Sequence, residues 1–324
     1  MANVYTGAAD GTNVTGIPAN ILTLHTNDLL FEALPVMRYD QFAVVRTDLM
    51  ADPGDTISFS KYGNLTRGGS IAEDADLESE AMSKSAVTIS VTEYGKAVGL
   101  TSKLLTLSFM DEMMNASVLL GRDYAIVVDI MLRNALFSGT QTYFAENAAN
   151  AAALDADSTL ALADIDNMVE VLETNNSLKY ADANGEYFVS YIHPHQAKGL
   201  KQALRSVHQY QYPELIFKGE IGEYGGVRFI VTANVPNGAD ATTTPGYDAT
   251  LKAAYDQGSG VNQVDLYKGV IFGQRAYGWA VALPVELRED IGQTNFGRKR
   301  RLAWYAIMGA GKIVNENILV FQSS

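Results

Sequence analysis

Few residues in this chain have types and spacings that could do chemistry. His193-Pro194-His195, with His208 thirteen positions further on, forms the one cluster with metal or acid–base character. Two imidazoles at i and i+2 across a proline need not converge, and no HxxxH or HxxE spacing accompanies them. A pair of histidines that caps or packs a strand-to-helix turn is the preferred reading. A metal-dependent hydrolase using His193, His195 and nearby carboxylates stands as the enzymatic alternative. Gly309-Ala310-Gly311-Lys312 has the outline of a phosphate loop, but Ala306 stands where the first glycine is required and Ile313 where Ser or Thr must hold magnesium. The glycines at 219, 222, 225 and 226 precede a strand instead of following one, so they make turns and not a dinucleotide fingerprint. With no Gly-x-Ser-x-Gly elbow and no cysteine, nucleophilic and thiol chemistry lack a carrier. The expectation is a protein without a catalytic, cofactor or metal site.

The stronger signals are in charge. Glu73, Asp74, Asp76, Glu78 and Glu80 place five carboxylates within eight positions, and Arg298-Lys299-Arg300-Arg301 is a compact basic run. A formal net charge of −13 disfavours general nucleic-acid binding, and the basic run lacks interleaved aromatics. A protein–protein role fits it better. Opposite charges on separate stretches of one chain suit a head-to-tail contact that closes into rings or shells.

These stretches need elements to position them. With 324 residues, 47% hydrophobic and 19% charged, the chain can bury a substantial core and fill roughly two domains. Residues 1–20 read as a polar arm that needs an external partner, and 21–50 as a short helix broken at Pro35 followed by an extended segment. The start shows no secretory signal, and no apolar run reaches the ~18 to 20 residues that cross a bilayer. DTISFSKYG and SAVTISVTEYG alternate as strands around a long acidic connection, which suggests a two-stranded flap. From Lys103 to Ser138 the periodicity predicts one helix of about 50 Å, starting at Thr101 or Ser102 and stopped by Gly139. At 100° per residue, Arg122, Asp129 and Arg133 fall on one polar face, opposite Leu120, Tyr124, Val127, Met131 and Ala135. Beyond an Ala/Asn/Asp-rich connection at 145–160, helix, strand, helix and strand between 160 and 235 read as an α/β lobe. A polar insertion at 236–263 and late strands from 264 onward follow.

Polar arm, acidic flap, long helix, α/β lobe and terminal strands, in that order, resemble the major capsid protein of tailed double-stranded-DNA bacteriophages, the Hong Kong 97-type shell fold. VTEYGKAVGLTSKL (91–104), Gly121-Arg122-Asp123, YIHPHQAKGL (191–200) and GEIGEYGGVRFIVT (219–232) are similar to the coat group related to podophage N-four. The resemblance implies an α+β fold. Its parts are an N-terminal arm at 1–54, an E-loop at 55–95, a spine helix and peripheral domain at 96–159 completed by strands from about 264–324, and an axial domain at 160–263. It also implies a structural coat protein that assembles with itself, as pentamers and hexamers, into an icosahedral shell around phage DNA, without sequence-specific binding and without membrane. A separate scaffolding protein, a portal and a decoration protein are the partners it suggests, with assembly in the bacterial cytoplasm and a final place in the virion. An encapsulin-like nanocompartment shell is the alternative within the same fold. The acidic residues at 73–80 and the basic run at 298–301 are the expected inter-subunit groups. Arg122, Asp129 and Arg133 are the expected wall surface of the spine.

Overall fold

The computed structural model describes residues 37–324 except 48–53, 64, 71–75, 77–78, 109–110, 156, 183–184, 202–222, 239–247, 251–264 and 291–297. The arm at 1–36, most of the polar insertion, His208, Glu73, Asp74 and Glu78 therefore lie outside the described residues. The chain divides into two compact units. Of the described residues, the first comprises those within Gly95–Tyr124 and Glu286–Tyr305, and the second those up to Tyr94, within Ala125–Val285 and within Ala306–Ser324.

Short strand β1 (Val44–Arg46) leads to β2 (Thr56–Tyr62) and β3 (Lys84–Ser90), which pair antiparallel from Thr56 opposite Ser90 to Tyr62 opposite Lys84. The expected alternation holds. Ile57 faces Ile89 and Phe59 faces Val87, and Ile57, Phe59 and Ile89 are buried with Ala280, Val44, Val91 and Ile313. Backbones approach closely here. A Cβ on Gly309 would strike the Ser90 carbonyl oxygen at 2.1 Å, so only glycine lets β3 lie this deep.

Strand β4 (Thr92–Thr101) runs into helix α1 (Ser102–Leu107), whose N-cap Thr101 accepts from Leu104 N through its hydroxyl at 3.3 Å. The single spine helix expected from Lys103 to Ser138 is two helices. α1 ends at Ser108, which is extended (ψ 138°), and helix α2 runs from Glu112 to Leu136. Asp111 caps the new start by accepting from Met114 N at 3.1 Å, and Ser108 Oγ donates to Glu112 at 2.8 Å. Two N-capping residue types inside an apolar pattern favour this restart over continuation.

The first unit holds the end of β4, α1, the start of α2, and the adjoining parts of β11 (Tyr277–Asp290) and β12 (Lys299–Lys312). Leu100, Leu104, Ala116, Leu120, Leu302 and Trp304 are its buried apolar residues. Asp123 ties them together. Its carboxylate accepts from Lys96 Nζ at 3.0 Å and from Trp304 Nε1 at 3.0 Å, while the Trp304 ring meets Tyr124 edge-on at 5.4 Å.

The second unit is built on a seven-stranded sheet. In chain order its strands are β5 (Thr142–Phe144), β6 (Tyr180–Asp182), β7 (Gly185–Ile192), β8 (Glu223–Tyr224), β9 (Val227–Val231), β10 (Tyr267–Phe272) and β13 (Ile318–Ser323). The spatial order is β5-β13-β10-β7-β9-β8, with β6 on β7. Helix α3 (Leu162–Thr174) lays Ile165, Met168 and Leu172, one helical stripe, on Phe188, Ile192, Val227, Ile271 and Phe321. Phe321 pairs with Gly269 across β13 and β10, its ring filling the place a Cβ would take. The strands after 263 thus divide. β10 and β13 lie inside the lobe's sheet, whereas β11 and β12 join β1 and β4 in a four-stranded sheet ordered β1-β11-β12-β4. The expectation that all of them complete the spine region misses this, because chain order does not encode which apolar face a late strand covers.

Candidate interaction surfaces

At the outer end of the β2/β3 pair, Gly63 N still bonds Ser83 O at 2.9 Å, and the residues beyond are exposed. Asp76 and Glu80 are the described members of the acidic group. Glu80 is engaged within the connection, where its carboxylate accepts from Thr66 N at 2.8 Å. Tyr62, Leu65 and Met82 are large apolar side chains exposed on the same segment, Met82 by 72%. Charge counting passes over them. Their signal was apolar residues flanking a polar loop.

Arg298, Lys299, Arg300 and Arg301 are all exposed, at the start of β12. They do not form one strip. Side chains alternate along a strand, and Leu302 and Trp304 are buried, so Arg300 shares their face while Lys299 and Arg301 share the opposite face with Ala303 and Tyr305. Arg300 reaches Glu289 at 3.8 Å, and the Arg288 guanidinium lies 4.3 Å from the centre of the Tyr305 ring. The first unit also exposes Leu107, Met114 and Leu119, the last two by 66% and 56%.

The expected polar wall of the spine is not a wall. Arg122 is half-buried. Asp129 is only 3% exposed and is an internal anchor, accepting from Arg38 N at 2.8 Å, Tyr39 N at 3.1 Å and Asn234 Nδ2 at 2.6 Å. Arg133 donates to Asn234 Oδ1 at 2.8 Å, and its partial burial pulls its pKa down from the ordinary guanidinium value. The reason is geometric. Among the described residues the buried apolar positions on α2 are Ala116, Leu120, Val128, Leu132, Ala135 and Leu136; all but Ala135 are separated by multiples of four, and each step of four overshoots a full turn by 40°. The inner face therefore drifts along the helix and reaches Asp129, which a fixed projection assigns to the outside.

The two described histidines of the cluster hold a corner of the fold. His193 Nδ1 accepts from His195 N at 3.2 Å, and both rings stack on Tyr267, at 4.3 and 4.9 Å. Burial, with a smaller contribution from His195, lowers the His193 pKa to about 4. Gln196 completes the turn by accepting from His193 N and donating to Tyr267 O and Ser323 Oγ. Among the described residues no three His, Cys, Asp or Glu side chains group to hold a metal. His193 and His195, the described members of the hydrolase alternative, are engaged with Tyr267 and Gln196, and His208 lies outside the described residues. Gly309 and Gly311, which outline a phosphate loop in sequence, lie inside β12 against β3.

Comparison with known proteins places the chain among phage capsid proteins. The sequence profile of the phage capsid protein family matches residues 84–316. The capsid of cyanophage Pam1 is similar in structure with a TM-score of 0.71 at 16% identity, covering 98% of this chain and 99% of that one. The capsid of cyanophage P-SCSP1u gives 0.68 at 15% identity, over 97% and 96% of the two chains. The capsid of Ralstonia phage GP4 gives 0.67 at 13%, over 97% and 98%. No curated protein matches the sequence.

Proposed function

The chain belongs to the phage capsid protein family, a structural coat protein of Hong Kong 97-type fold that builds an icosahedral virion shell from copies of itself, and we propose which of its surfaces make the contacts between copies. The profile match over more than half of the chain carries the family assignment. In the proposed contact, the exposed end of the β2/β3 pair, with Tyr62, Leu65, Met82 and the acidic residues from Glu73 to Glu80, lies on a neighbouring copy.

Two observations support this. Large exposed apolar side chains beside charged ones have the composition of an interface rim and core, and the β2/β3 pair buries only its root within its own chain. Lys299 and Arg301, on the open face of β12, are the cations that complement the acidic segment, and their role is to set register and encounter rate more than affinity. Arg122, Arg298 and Arg300 are secondary candidates. Asp129, buried in its own unit, and Arg133, bonded to Asn234 there, are left out of the proposed contact. Assembly in the host cytoplasm on a separate scaffolding protein, with a portal and a decoration protein joining the shell, completes the proposal.

Negative-stain microscopy and sedimentation of the purified protein test the shell itself. Closed particles are expected; monomers under every condition, even with a scaffold supplied, refute the assembly reading. Neutralising Glu73, Asp74, Asp76, Glu78 and Glu80 together tests the contact. The monomer keeps its melting temperature and particle yield drops, whereas normal yield means the acidic segment is merely solvated.

A further inference from the structure

Strand β11 lies between β1 and β12, but β1 covers it only from Gly278 to Ala280. Among the described residues no other strand pairs with that edge, and residues 286–290, all in the first unit, are exposed along it, Leu287 by 56%. Ile313 N donates to Ala276 O at 2.8 Å and Arg300 reaches Glu289 at 3.8 Å, two contacts that fit one antiparallel register of β11 on β12. In that register the even-numbered residues of β11 bond β12, and Leu287 and Glu289 turn their N–H and C=O groups to the open edge. Glu286 and Arg288, bonded at 3.1 Å, share one face with Asp290, while Leu287 lies on the other, the face of buried Leu302.

An uncovered edge is a template for another strand. The charges decide which strand fits. Laid antiparallel on itself about a two-fold axis at Leu287, the segment sets Leu287 against Leu287 of a second copy as a hydrogen-bonded pair, so the backbone groups that point outward are the ones that pair. Glu286 then faces Arg288 of the second copy, and Arg288 faces its Glu286, at the closer non-hydrogen-bonded positions. Other registers are penalised. An axis at Glu286 puts that carboxylate on itself, an axis at Arg288 opposes two guanidiniums and sets Glu286 on Asp290, and an axis at Glu289 again opposes two carboxylates. An axis between residues sets outward backbone groups against inward ones and pairs none of them.

We propose that residues 286–290 of β11 are a self-pairing edge, at which two copies of the chain join antiparallel about a two-fold axis at Leu287 and continue the four-stranded sheet of one copy into that of the other. The occupant is a second copy because the pattern is self-complementary: one strand supplies both the carboxylate and the guanidinium, each opposite its counterpart. The contact is isologous and closes at two copies, unlike the head-to-tail contact made by the end of the β2/β3 pair. It does not rest on the shell reading, since two copies pair in dispersed protein whether or not particles form.

The chain has no cysteine, so one introduced thiol reports the axis. Opposed residues of a hydrogen-bonded pair have Cα atoms ~5.5 Å apart, within the reach of a disulfide. Leu287→Cys in the full-length chain, treated with diamide and run on non-reducing gels, is expected to form covalent dimers at least tenfold faster than Glu289→Cys, whose two copies lie four residues out of register. In the Leu287→Cys protein, Arg288→Glu or Glu286→Arg alone is expected to slow crosslinking at least tenfold, and mixing the two proteins to restore it, because the mixture again sets carboxylate against guanidinium. Equal rates for Leu287→Cys and Glu289→Cys, or no gain on mixing, overturns the proposal. Should either charge variant not fold, the comparison of the two cysteines decides alone.

Discussion

The β2/β3 pair and the seven-stranded sheet are both antiparallel at their cores, yet they spend their apolar residues differently. In the sheet, β13 is buried at every position and β10 at all but Lys268, and α3 covers one face. In the pair, among the described residues, Ile57, Phe59 and Ile89 are the buried ones, all toward the root, and the outer end leaves Tyr62, Leu65 and Met82 in solvent. The first region is stable by its own packing. The second is pinned at one end and left incomplete at the other, which places it at the low-stability end of the molecule, where partner-binding elements are drawn from.

The contrast breaks most visibly in the lobe. Phe188→Ala removes a fully buried ring from between α3 and the sheet and is expected to cost ~3–5 kcal/mol, read as a lower denaturation midpoint of the whole second unit. A cost below ~1 kcal/mol means the lobe core is not the stabilising centre. Ile89→Ala acts on the root of the pair and should cost ~2 kcal/mol or more, seen first as faster amide exchange across β2 and β3 while β10 keeps its protection. Loss of protection in both regions together dissolves the distinction.

Acid should act on the lobe through His193. His193 titrates in the folded chain at about 4, below its ordinary value, so the unfolded chain binds the proton first. The stability this neutral imidazole contributes is complete above about pH 6.5 and is lost as the pH falls toward 4, by of the order of 1 kcal/mol after allowance for the exposed part of the ring. His193→Gln is expected to flatten melting temperature against pH in that window, and an unchanged slope assigns the acid sensitivity elsewhere. The smallest effect belongs to the exposed pair Arg300–Glu289, where Arg300→Ala should change stability by less than ~0.5 kcal/mol. A loss above ~1 kcal/mol reveals a network at the start of β12.

Much of this architecture was legible from local patterns. Alternation placed Ile57, Phe59, Val87 and Ile89 on paired strands, Thr101 marked a helix start, and the order of parts pointed to the shell fold. What escaped depended on distant groups. Asp129 reads as a surface charge because its partners, Arg38, Tyr39 and Asn234, are about 90 to 105 positions away in the chain. The break between α1 and α2 was visible in principle, since Ser108 and Asp111 are both capping types, but the apolar period outweighed them. The membership of β10 and β13 in the lobe's sheet has no local signal, since either sheet could use a strand of that composition.

The chain's two tryptophans divide between the compact units: Trp304, its indole tethered to Asp123, in the first, and Trp279, whose indole nitrogen is buried with no hydrogen-bond partner among the described residues, in the second. Each unit therefore carries its own optical reporter in a distinct polarity. With Trp279→Phe and Trp304→Phe as single-reporter proteins, emission spectra can time the two units separately as subunits enter a growing particle.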